Sequence, residues 1–130
     1  ALANVAVRAN KLDLAISEYR NLLEKSPSNF DVQIRLAEAL RFKGDQAAAA
    51  KEYVKAKEIN PNDPIAYVRL ALMYEGSGKR NEAKTLYEQV LRIEPDNAVA
   101  LNNLAFWLAD SGGDLDQALT LAQRAKAKFP

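Results

Sequence analysis

Between Pro64 and Pro95 the small and apolar residues fall at helical intervals on either side of a glycine turn. Tyr67, Leu70, Ala71 and Tyr74 precede Gly78; Ala83 and Tyr87 follow it. The spacing predicts two helices, over about 64–76 and 81–93, each with one apolar stripe. One unit earlier the same slots hold Gln33, Leu36, Ala37, Leu40, Gly44, Ala49, Tyr53 and Pro61. One unit later they hold Leu101, Leu104, Ala105, Leu108, Gly112, Ala118, Ala122 and Pro130. Pro27, Pro61 and Pro95 are spaced 34 residues apart and Pro130 follows after 35, an extra residue assigned to the Gly112–Gly113 doublet.

Local signals place the remaining boundaries. Residues 1–9 read as the tail of a first-type helix, Asn10 fills the turn slot, and Leu12, Ala15, Ile16, Tyr19, Leu22 and Leu23 form the core stripe of a partner helix over 12–25. Ser26-Pro27 ends it. Helices follow over about 30–43 and 46–59, with Gly44 as the left-handed terminator and Asp45 as the next cap. Asp63 before Pro64 marks another start. Lys79 is unable to cap, so Asn81 is expected to shift that start by two residues. Asp96 or Asn97 opens a helix to about 110, and Asp114 caps one over 115–128. Ala122 replaces the aromatic found at Tyr53 and Tyr87, and Leu119, Leu121 and Ala125 are expected to leave an apolar face in water.

This order of aromatic, Leu, small, aromatic, then Ala, aromatic and Pro resembles the tetratricopeptide repeat family over nearly the whole chain. The resemblance implies an all-α, right-handed α-solenoid of antiparallel helix pairs, organised as a partial unit over 1–27 and full units over 30–61, 64–95 and 98–130. A helix pair buries its stripe only against neighbours, so stacking makes the core. The chain is expected to be a fragment of a longer array.

Composition narrows the chemistry. Eighteen basic residues against 17 acidic leave a net charge of +1, which gives no bulk attraction for nucleic acid. Apolar runs are too short for membrane insertion. Without cysteine or histidine there is no disulfide, thiolate nucleophile, imidazole base or Cys/His zinc site, and no cofactor or metal is expected. The five serines, Ser17, Ser26, Ser28, Ser77 and Ser111, lie in helices or turns and belong to no nucleophile motif. EGSGK at 75–79 lacks the phosphate-loop pattern, and Asp110, Asp114 and Asp116 lack the rest of a calcium loop. The chain is therefore read as no enzyme.

What the resemblance implies instead is a concave face, formed by the first helix of each pair, that binds an extended peptide or a partner helix. The family's inward positions fall on Asp31, Ile34, Arg35, Glu38 and Arg41, on Ile65, Val68, Arg69, Leu72 and Glu75, and on Val99, Asn102, Asn103, Phe106 and Ala109. Asn4, Val7 and Arg8 join them from the first unit. Ile34, Val68, Leu72 and Phe106 offer an apolar floor; Arg35 and Arg69 either meet a ligand or pair with nearby carboxylates such as Glu38; Asn102 and Asn103 suit a peptide backbone. The chaperone-binding carboxylate clamp is matched only at Asn4 and Arg69, and the asparagine ladder of repeat-bearing glycosyltransferases only at Asn102 and Asn103. Trp107 is expected in the core or at a repeat interface. The alternative is a structural spacer or assembly element that self-associates through exposed array ends.

Overall fold

The computed structural model describes the backbone of residues 2–110 and 115–128, and side chains over 10–110 and 116–127. Among these residues all regular structure is helical, in the order α1 (Leu2–Lys25), α2 (Phe30–Lys43), α3 (Gln46–Ile59), α4 (Pro64–Gly76), α5 (Arg80–Ile93), α6 (Ala98–Asp110) and α7 (Leu115–Lys128). They form two compact units, Ala1–Pro61 with α1 to α3 and Asn62–Pro130 with α4 to α7. In the first, α2 packs against both α1 and α3; in the second, α4 packs on α5, α5 on α6 and α6 on α7.

Helix ends follow from backbone chemistry. Gly44 takes φ 97° and Gly78 φ 78°, a conformation that strains residues with a Cβ. The chain can then reverse so that Asp45 N–H reaches the Leu40 carbonyl at 3.0 Å and Lys79 N–H the Tyr74 carbonyl at 2.8 Å. Starts are held by side-chain oxygens: Asp45 accepts from Ala48 N–H (3.1 Å), Asp63 from Ile65 N–H (3.0 Å) and Asn97 from Ala100 N–H (3.0 Å). Asp114 lies outside the described residues, as does the Gly112–Gly113 doublet.

Three expectations are corrected. Residues 2–25 make one helix with no turn at Asn10, because no residue other than glycine takes positive φ there and Ala9, Lys11 and Leu12 all favour helix. Asn81 does not displace the start of α5: the Lys79 carbonyl already accepts Ala83 N–H at 3.1 Å, so the turn itself launches the helix without a side-chain cap. On α7 only Leu119 stays in water, at 58% exposed, whereas Leu121 and Ala125 join Ala118 in a buried stripe spaced for contact with α6.

Both units bury the repeated slots. Leu36, Leu70 and Leu104 are 2, 1 and 5% exposed, and burying each contributes about 1.5–3 kcal/mol. Ala49 and Ala83 are at most 2% exposed, leaving no room for a larger side chain. On α1 the stripe is thinner: Ile16 is buried, Leu12, Ala15, Tyr19 and Leu23 are half-buried, and Leu22, expected in the core, is 40% exposed.

Candidate interaction surfaces and a buried polar couple

The expected ligand-facing residues separate once burial is known. On α2, Arg35 stands exposed and Glu38 is half-buried, but Ile34 is 7% exposed and belongs to the core of its unit. That corrects its place in an apolar floor, since a buried side chain has no surface to offer. On α4, Val68 and Arg69 are half-buried while Leu72 is 38% exposed. Asn4, Val7 and Arg8 lie outside the described side chains.

In the second unit α6 presents the bulkiest of the exposed apolar side chains among the described residues. Phe106 is 65% exposed and Val99, two turns earlier, 40% exposed, with Asn102 exposed between them. Ala98 to Ala109 contains no charged residue. Asn103 is half-buried, and one N–H of its amide donates to the Val99 carbonyl of its own helix at 2.8 Å. Of the two asparagines singled out in the sequence, Asn102 is the exposed one.

Other polar groups hold the helices of a unit together. Tyr87 Oη donates to Glu75 Oε2 at 2.8 Å, which engages a carboxylate assigned to the inward face. Burial, and then the hydrogen bond to this carboxylate and its charge, push the Tyr87 phenol well above its ordinary value, because a phenolate there would lose solvation and face a like charge. Arg80 pairs with Asp110 at 2.6 Å, and Lys84 Nζ sits 4.5 Å from the centre of the Trp107 ring. Trp107 is thus half-buried between α5 and α6, a contact inside its unit.

Sequence reading missed the most unusual contact. Gln33 Nε2 donates to Glu52 Oε2 at 2.5 Å and to the Glu52 carbonyl at 3.0 Å, with the two residues 3% and 7% exposed. The signal was available in the repeats themselves. A 34-residue step carries Gln33 to Tyr67 and Glu52 to Leu86, so the polar pair occupies slots that are apolar in the next unit.

Two family models, each described as tetratricopeptide repeat, match residues 1–64 and 75–130. The chain is a tetratricopeptide repeat protein. Solved tetratricopeptide-like structures agree in fold. "MamA RS-1 ArsTM double mutant" is 18% identical, covering 97% of this chain and 68% of its own, with a TM-score of 0.73. "MamA MSR-1 C2" is 20% identical over 93% of this chain and 69% of its own, with a TM-score of 0.68. "Crystal structure of MamA" reaches 0.58 at 20% identity, covering 92% of this chain and 93% of its own. Identities this low speak for the fold alone. No curated protein matches the sequence significantly.

A tetratricopeptide repeat array is a protein-interaction and scaffolding fold, which sets the broad class of function. Among the described residues no three His, Cys, Asp or Glu side chains are grouped to hold a metal, and no helix is long and apolar enough to cross a membrane.

Proposed function

We propose that the chain is a non-catalytic module that binds an extended segment of a protein partner along the first helices of its pairs, the surface expected to be concave in this family. The observation that carries this reading is the outer surface of α6, where Val99 and Phe106 remain in water beside Asn102. Phe106 keeps about two thirds of its surface outside the packing of its own unit, on a stretch without charge from Ala98 to Ala109. It suits an apolar side chain of a ligand, while Asn102 offers both a donor and an acceptor to an extended backbone. Leu72 on α4 supplies a second apolar contact, and Arg35 and Arg69 supply cationic ones for carboxylates or carbonyls.

Peptide arrays probed with the wild type, Phe106→Ala and the Arg35→Ala/Arg69→Ala pair test it. Phe106→Ala is expected to lose peptides with apolar anchors, and the double variant those with acidic residues. Equal retention of every peptide by all three proteins overturns the assignment.

A further inference from the structure

In the first unit the Gln33–Glu52 couple lies in the wall of an open groove of about 390 Å³. Leu23 of α1, Pro27 of the α1–α2 turn and Leu36 of α2 supply its apolar lining, and Arg20 and Lys55 stand exposed at its rim. Glu52 is the charged side chain held deepest there, at 7% exposed. Its Oε2 is taken by the Gln33 amide, whereas Oε1 faces Lys55 Nζ at 3.6 Å, too long for a good hydrogen bond.

The fold does not require this carboxylate. In the second unit the equivalent slots are Tyr67 and Leu86, 8% and 6% exposed, and one repeat further on Leu101 and Leu121, 0% and 8%. Apolar residues of similar volume pack such sites at least as well as a buried charge, which must give up its hydration. The charge is retained here at a disadvantage to packing, and the groove beside it is lined by the exposed carboxylate of Glu24 as well as by apolar side chains.

We propose that this groove receives a cationic side chain, arginine or lysine, from a protein partner. The aliphatic stem lies against Leu23 and Pro27, and the charged head bonds Glu52 Oε1 in place of Lys55. The complementarity rests on depth. A buried carboxylate attracts a cation through low dielectric, whereas the exposed heads of Arg20 and Lys55 are screened by water. This site is separate from the α4 and α6 surfaces and does not depend on the reading given to them.

Titration of the chain with N-acetyl-argininamide, followed by ¹H–¹⁵N NMR, tests the proposal, with N-acetyl-norleucinamide and N-acetyl-aspartamide as controls. The arginine probe is expected to shift the Gln33 side-chain amide and the Glu52 and Lys55 backbone signals saturably, at a dissociation constant on the order of millimolar. Glu52→Leu reproduces Leu86 of the second unit; it is expected to keep the fold and weaken the response about tenfold or more. Glu52→Gln serves as a second variant with the same expectation. Lys55→Ala removes the competing ammonium and is expected to tighten binding severalfold. Absence of saturable shifts, equal affinity in a folded Glu52 variant, weakening by Lys55→Ala, or a larger response to the aspartate probe would each overturn it. Loss of peptide binding through Phe106 would leave these outcomes unchanged, so the two readings fail independently.

Discussion

The α2–α3 and α4–α5 hairpins solve one packing problem with different chemistry. Across the first, Gln33 meets Glu52 by two hydrogen bonds; in the second the same slots hold Tyr67 and Leu86. All four side chains are at most 8% exposed. The repeat therefore demands that these positions be filled and dry, and the polar pair it accepts here is held by direct hydrogen bonds between its members. The opposite difference occurs one residue further along α3 and α5. Tyr87 donates to Glu75, but 34 residues earlier the slot of Glu75 holds Arg41, which has no carboxylate to offer Tyr53.

The largest expected effect comes from breaking the polar couple on one side. Gln33→Leu leaves the Glu52 carboxylate buried without its amide donor and is expected to cost about 3 kcal/mol in urea denaturation. Glu52→Leu alone costs less, since the Gln33 amide keeps the carbonyl of residue 52 as acceptor. The Gln33→Leu/Glu52→Leu pair is expected to return to within about 1 kcal/mol of wild type or to exceed it. A double variant as unstable as Gln33→Leu would show that the couple does more than fill space.

Next in size is overpacking at the helix crossings. Ala49→Leu and Ala83→Leu place a larger side chain where the alanines are at most 2% exposed, and each is expected to lose about 1–3 kcal/mol. Similar losses in both units would confirm that the crossing is equivalent even where the neighbouring slots differ. A loss confined to one unit would sharpen the contrast between them.

How much of this was legible in advance depended on what kind of force set each feature. Ends and starts of α2, α3 and α4 follow from local signals, glycine at positive φ and Asp or Asn before a helix, which act within a few residues, and the bounds of α7 match the expected 115–128. Asn10 misled because a repeat register was extended to a residue whose neighbours favour helix. Ile34 and Leu22 were misplaced for a different reason: burial depends on which helix lies opposite, and periodicity defines a stripe without its edges. Phe106, Leu72 and Arg35 were candidates from the family register, and they stand exposed on their helices. The Gln33–Glu52 couple escaped because each residue looks like surface when taken alone. Only the comparison of facing slots across repeats reveals it.

The Tyr87–Glu75 contact gives a smaller effect with a clear sign in pH. Tyr87→Phe is expected to lose about 1 kcal/mol at neutral pH, where the phenol donates to the carboxylate. The folded state raises the phenol's affinity for its proton, so above the unfolded value near 10 the native state holds more protons than the unfolded one. Stability is then expected to fall as pH rises beyond about 10, and less steeply in Tyr87→Phe than in wild type. Identical alkaline slopes by denaturant melts would place the loss elsewhere.

The smallest change in stability is expected at the residues assigned to binding, and it separates the two kinds of position most cleanly. Arg35 is exposed on α2, so Arg35→Ala should alter stability by no more than about 0.5 kcal/mol. Phe106→Ala removes a side chain already 65% in water and should behave alike, or gain slightly in solubility. Both are expected to reduce peptide capture while thermal melting stays nearly unchanged. Leu40→Ala and Leu70→Ala should do the reverse in their respective units, losing about 2–5 kcal/mol through cavities at residues assigned to neither surface. If Arg35→Ala instead unfolds the first unit, its guanidinium is holding the helices together, and the inward register assigned to α2 is wrong.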